Sequence, residues 1–88
     1  MKYTVFYSRE SEKYLRRLTP TSLKRILSRI EKLAENPFEA DNNIVKLVET
    51  ESSFRLRIGD IRVIYYVDIK KRSIYINKIA PRGSAYSS

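Results

Sequence analysis

The sequence predicts an α+β fold: two N-terminal helices on one face of a mostly antiparallel, twisted sheet of four to five strands. The element order strand, helix, helix and then several strands is one reason. A second is the run from Phe54 to Val67, two β-branched and aromatic segments around Gly59-Asp60, the strongest hairpin signal in the chain. The third is Leu23, Ile26, Leu27, Ile30, Leu33 and Ala34, whose spacing is helical.

Tyr3 to Tyr7 alternates Thr4 and Phe6 against Tyr3, Val5 and Tyr7, which predicts a short opening strand. Ser8 can cap a helix from Arg9 to about Leu18, with Tyr14, Leu15 and Leu18 facing the sheet. Thr19 caps the second helix, and Pro20 fits its first position because the N–H that proline lacks has no partner there. Asn36-Pro37 ends it, since the residue before a proline disfavours helix. After a polar loop, Ile44 to Val48 returns to strand composition, and residues 49–53 connect into the hairpin. A turn at Asp68 to Ser73 leads to a last strand from Ile74 to Ile79, which Pro81 should stop.

With a two-residue loop, Ile58 faces Ile61, Arg57 faces Arg62, Leu56 faces Val63 and Phe54 faces Tyr65. Phe54, Leu56, Ile58, Ile61, Val63 and Tyr65 then share an apolar face, which the helices must cover. Arg55, Arg57 and Arg62 share the other face with Ile64 and Tyr66, left open to water or a ligand. Two guanidinium groups directly opposite each other cost roughly 0.2–1 kcal/mol. Either the face is an ordinary solvated one, or an anion sits there.

Eighty-eight residues suit one domain spanning 1–88. Eighteen Lys and Arg against ten Asp and Glu give a net charge of +8, a field that attracts polyanions, with nucleic acid first. Cysteine and histidine are absent, so a thiolate metal site, a disulfide framework and the usual neutral-pH acid or base are all excluded. No metal-ligand spacing stands out, and two glycines are too few for a phosphate-cradling loop. No cofactor is expected. Met1 leads straight into strand residues without a signal pattern, and no apolar run is long enough to span a membrane. A cytoplasmic protein without a membrane partner is the expectation.

The residues left for chemistry are cations and phenols: Arg55, Arg57, Arg62 and Tyr66, with Lys46, Arg82 and Tyr86 as further candidates. Arginine grips phosphate in bidentate fashion and stabilises charge developing on it, but is too weak an acid to donate a proton. A tyrosine among guanidinium groups has its anion favoured and can become a base. Such a set could cleave RNA by activating a ribose 2′-OH, or could only bind the phosphates.

The run Phe-Arg-Leu-Arg-Ile-Gly-Asp-Ile-Arg-Val-Ile-Tyr-Tyr-Val-Asp, followed by a strand and then Ile-Ala-Pro-Arg-Gly-Ser-Ala-Tyr, resembles the RelE/ParE superfamily of toxin–antitoxin toxins, particularly archaeal RelE-like members. Val45-Lys46-Leu47 and the two helices extend the resemblance over nearly the whole chain. It implies a metal-independent, ribosome-dependent endoribonuclease that cuts messenger RNA in the ribosomal A site. The implied partners are a RelB-like antitoxin, the ribosome and mRNA. By position, Arg55 and Arg57 would hold the RNA backbone, with Lys46 and Tyr66 as further RNA-binding residues. Arg62 would stabilise the transition state, Arg82 would assist at the phosphate and leaving group, and Tyr86 would be the general base. The interval from Arg82 to Tyr86 is shorter than in some members. The alternatives are a ParE-like toxin acting on DNA gyrase and an inactive member that only binds antitoxin or nucleic acid.

Overall fold

Local signals and long-range pairing combine in a five-stranded sheet with two helices on one face. The structure is a computed structural model that describes residues 2–47 and 52–83. The chain runs β1 (Thr4–Tyr7), α1 (Arg9–Arg16), α2 (Pro20–Glu35), β2 (Ile44–Lys46), β3 (Ser53–Ile58), β4 (Ile61–Asp68) and β5 (Ser73–Pro81). The strand order is β1-β5-β4-β3-β2. Among the described residues only the β1–β5 pair is parallel, with Thr4 to Tyr7 aligned on Ser73 to Ile76.

Both caps form as their residue types dictate. Ser8 Oγ accepts from the Ser11 N–H at 3.1 Å, and Thr19 Oγ1 from the Ser22 N–H at 3.2 Å. The first helix stops two residues before the expected Leu18, because the Arg17 and Leu18 N–H groups turn back to the Tyr14 and Leu15 carbonyls in a tighter turn. From α2, Ile26, Ile30, Leu33 and Ala34 are buried against Leu56, Ile58, Val63, Tyr65, Ile74, Ile76 and Ile79 of the sheet. Leu27 departs from the expected stripe: it is exposed beside Pro20, Leu23 and Lys24 on the outer side of the helix. Tyr14, Leu15 and Leu18 pack at the margin of this core.

The hairpin has the expected register throughout, from Ile58 opposite Ile61 to Phe54 opposite Tyr65. Gly59 takes φ +58° while Asp60 does not turn positive, which is where a two-residue hairpin loop with glycine first needs its freedom. The second strand ends at Lys46; Val48, placed in it from composition, lies outside the described residues, as do residues 49–51.

The last strand departs from expectation twice. Ile64 pairs with Lys78 but Tyr65 pairs with Ile76, so Asn77 is left as a bulge. The bulge resets the alternation, letting Ile79 join Ile74 and Ile76 in the core while Lys78 stays on the open face. Helix α1 seals the irregular spot: Ser8 Oγ donates to the Asn77 carbonyl at 3.0 Å, and the fully buried Ser11 hydroxyl to that of Ile76 at 3.3 Å. The strand also continues through Pro81, which pairs with Ile61. Proline is tolerated because β1 covers only Ser73–Ile76, leaving the other edge of β5 without a ladder there.

Candidate functional site

Arginine side chains from two neighbouring strands and the segment after β5 meet at the hairpin end of the open sheet face. Arg55, Arg57, Arg62 and Arg82 line one depression of about 260 Å³ together with Asn42, Asn43 and Val45. None of these lining residues is acidic. A concave site whose lining is mostly cationic is complementary to an anion of phosphate size.

Each arginine arrives by a different route. Arg57 is exposed, and its Nε and Nη2 both donate to Asn43 Oδ1, at 3.1 and 2.8 Å. Its own N–H bonds the Asn43 carbonyl at 2.8 Å, so the loop before β2 is tied to β3 twice. Behind Asn43 stands Asp41, whose Oδ1 accepts the Asn43 N–H at 2.8 Å and whose Oδ2 pairs with Arg29 Nη2 of α2 at 2.9 Å. The Asn43 backbone bond, then the Arg29 bond, hold the Asp41 carboxyl below the usual carboxylate range. A chain of contacts thus runs from α2 through the loop to Arg57.

Arg62 corrects the expectation of a wholly open arginine face, since only 6% of it is accessible. Its Nη1 donates to the Gly59 carbonyl at 2.8 Å and the Ile61 carbonyl at 3.1 Å, folding the side chain back over the hairpin turn. Nε and Nη2 supply three further N–H donors. Arg82 is fixed through its backbone: its N–H donates to the Asp60 carbonyl at 2.7 Å, continuing the β4–β5 pairing past Pro81. The hairpin tip therefore anchors two of the four arginines.

The other candidate residues lie elsewhere. Lys46 pairs with Phe54 and shares the helix-covered face, where it lines a groove with Phe38 and Phe54. Val45, not Lys46, is aligned with Arg55 on the arginine side. Tyr66 shares the open face but sits further along β4, opposite Ser53 and Tyr75, outside the depression. Tyr86 lies outside the described residues. Sequence reasoning missed Asn42 and Asn43, which stand in a polar loop with no periodicity to mark them. Among the described residues, no group of three or more acidic, histidine or cysteine residues is placed to hold a metal, and no helix is long and apolar enough to cross a membrane.

No family model matches the chain. A protein of Methanocaldococcus jannaschii named "Putative toxin RelE1" is 36% identical, covering all of this chain and 99% of that one. Among solved structures, the archaeal RelE-RelB complex from Pyrococcus horikoshii matches with a TM-score of 0.82 and 34% identity, over 94% of this chain and 98% of that chain. The toxin-antitoxin complex RelBE2 from Mycobacterium tuberculosis matches over 93% of this chain and all of its counterpart, with a TM-score of 0.76 and 23% identity.

Proposed function

From a chain that belongs to the RelE family of toxin–antitoxin toxins, we propose a metal-independent endoribonuclease that cuts messenger RNA in the ribosomal A site and is silenced by a RelB-like antitoxin. The observation that carries the reading is the meeting of Arg55, Arg57, Arg62 and Arg82 around one depression of phosphate-binding character.

In this reading Arg55 and Arg57 hold the RNA backbone, the latter oriented by the Asn43 amide. An amide orients a guanidinium without cancelling its charge, which a carboxylate would do. Arg62 uses its Nε and Nη2 donors on the phosphate oxygens, where negative charge grows as the ribose 2′-oxygen attacks. Its Nη1 bonds to the turn pre-set the group, and a donor fixed before reaction costs little reorganisation in the transition state. Arg82 acts at the same phosphate and favours departure of the 5′-oxygen.

Proton removal from the 2′-OH falls to Tyr86. The chain has no histidine, and a phenol near several guanidinium groups has its pKa lowered. Tyr86 follows Arg82 by four residues, a separation that covalent geometry limits to about 14 Å. Lys46 faces the other side of the sheet and is left out of this mechanism.

The net charge of +8 suits both proposed partners, the ribosome-bound mRNA and an acidic antitoxin segment. RelE-RelB assemblies are known for the Pyrococcus horikoshii and Methanococcus jannaschii proteins, which supports the second. A cytoplasmic location follows from a ribosomal target.

Primer extension on messenger RNA from expressing cells tests the activity. Codon-positioned cuts that disappear in a ribosome-free reaction are expected. Intact transcripts with DNA damage would overturn the reading in favour of a gyrase-directed toxin.

A further inference from the structure

Beyond the arginine depression, the open sheet face carries a row of aromatic rings that the cleavage chemistry does not use. Phe6 of β1 stacks on Tyr75 of β5 with ring centroids 5.4 Å apart and planes 17° from parallel. Tyr75 in turn meets Tyr66 of β4 at 6.1 Å. Phe6 is 48% exposed and Tyr66 38%, so the row crosses three strands with much of its surface in water. Cross-strand pairing stabilises such rings by a few tenths of a kcal/mol to about 1 kcal/mol, but gives no reason for leaving them uncovered.

Charge indicates what covers them. Arg62 stands four residues before Tyr66 on β4, and the exposed Lys70 and Lys71 follow in the β4–β5 turn. The rings therefore lie between two cationic groups, along a strand that spans about 25 Å. The acid on this stretch, Asp68, accepts the Lys71 N–H at 3.1 Å and serves the turn. Aromatic faces between positive ends match an unpaired polynucleotide, whose bases stack while its phosphates reach the cations.

The geometry points to a single-stranded RNA track on this face: nucleotides next to the cleaved one stack on Tyr66, Tyr75 and Phe6, and the strand's far end meets Lys70 and Lys71. The identity of the occupant rests on the nuclease reading, since that reading brings a strand to the adjoining depression. It makes the rings a length-dependent grip on RNA, separate from the reacting phosphate.

The test is fluorescence anisotropy with a labelled 2′-O-methyl RNA 12-mer, which cannot be cut through its 2′-oxygen, on the full chain. Phe6→Leu and Tyr75→Leu keep an apolar side chain in the strand pairing but remove the stacking face; thermal melting checks that they fold. The expected outcome is about 5- to 100-fold weaker binding for each. A 4-mer should show little difference between parent and variants, and excess duplex RNA should compete poorly. Binding of the 12-mer within twofold of the parent by both leucine variants would overturn the track. So would variants that keep RNA affinity but lose a RelB-like antitoxin peptide, which would make the row an antitoxin surface. Because the probe is not cleaved, a chain that never cuts mRNA yet needs its rings for the 12-mer would refute the nuclease reading alone.

Discussion

Arg57 and Arg62 stand directly opposite each other across β3 and β4, and among the described residues neither is paired with a carboxylate. Arg57 is drawn outward to Asn43 Oδ1, and Arg62 inward to the Gly59 and Ile61 carbonyls. Neutral oxygens thus hold two like charges without cancelling them, so the pair keeps its full positive charge.

The Asn43 amide is therefore a sensitive point. Asn43→Asp keeps an acceptor for Arg57 but introduces a negative charge into the depression. RNA affinity should fall roughly tenfold at low salt, and the slope of log K against log salt should flatten by about 0.7, one phosphate contact on a single strand. A salt titration of RNA binding checks this, with Asn43→Ser as the neutral control.

Gly59→Ala tests the turn that anchors Arg62. At φ +58° a Cβ costs about 1–2 kcal/mol, and it would fall 2.5 Å from Arg25 Nη2, a flexible group that can move aside. Thermal melting should show Tm lower by about 5–15 °C. Gly59→Asn should recover part of the loss, because asparagine tolerates this region better.

Ser11 has no access to solvent, and its hydroxyl donates to the Ile76 carbonyl beside the bulge. Ser11→Ala should cost about 0.5–1.5 kcal/mol, the net worth of one hydrogen bond, because the Ile76 carbonyl keeps the Ser8 N–H and Ser8 Oγ keeps the Asn77 carbonyl. Urea denaturation should show a lower midpoint with an unchanged slope.

Asp41 and Tyr65 give stability opposite dependences on pH. Asp41 has a depressed pKa in the fold, so its contribution is present above the ordinary value of 3.8 and is lost as pH falls through the folded value. Burial first, then the Asp41 carboxylate, push the Tyr65 phenol well above 10, and its hydroxyl is enclosed without a hydrogen-bond partner. Its contribution is complete below pH 10 and declines above it, where the unfolded chain releases the proton first. Denaturation across pH should show the gap between parent and Asp41→Asn closing below about pH 4. Tyr65→Phe should flatten the alkaline limb above about pH 10.

The hairpin was legible pair by pair, because a two-residue turn and alternation with a period of two leave one register that buries Leu56, Val63 and Tyr65 together. Both helices were legible from caps and spacing. The parallel edge was not: β1 meets β5 across most of the chain, and parallel pairing leaves no turn in the sequence. The Asn77 bulge left only the three-residue step from Ile76 to Ile79. The position of Lys46 away from the arginines does have a signal in the sequence, since it alternates with Ile44 and shares that residue's face. Asn43 could not be found because its role depends on a loop folding back beside β3.

In the proposed reaction Arg62, fixed by the hairpin turn, stabilises the charge that develops on the cleaved phosphate. Single-turnover cleavage of a short mRNA on programmed ribosomes, comparing the parent chain with Arg62→Ala and Arg62→Lys, tests it most directly. The expected rate is at least about 100-fold lower for Arg62→Ala, with incomplete recovery by lysine and ribosome binding retained. A folded Arg62→Ala chain that cuts at the parental rate would contradict it.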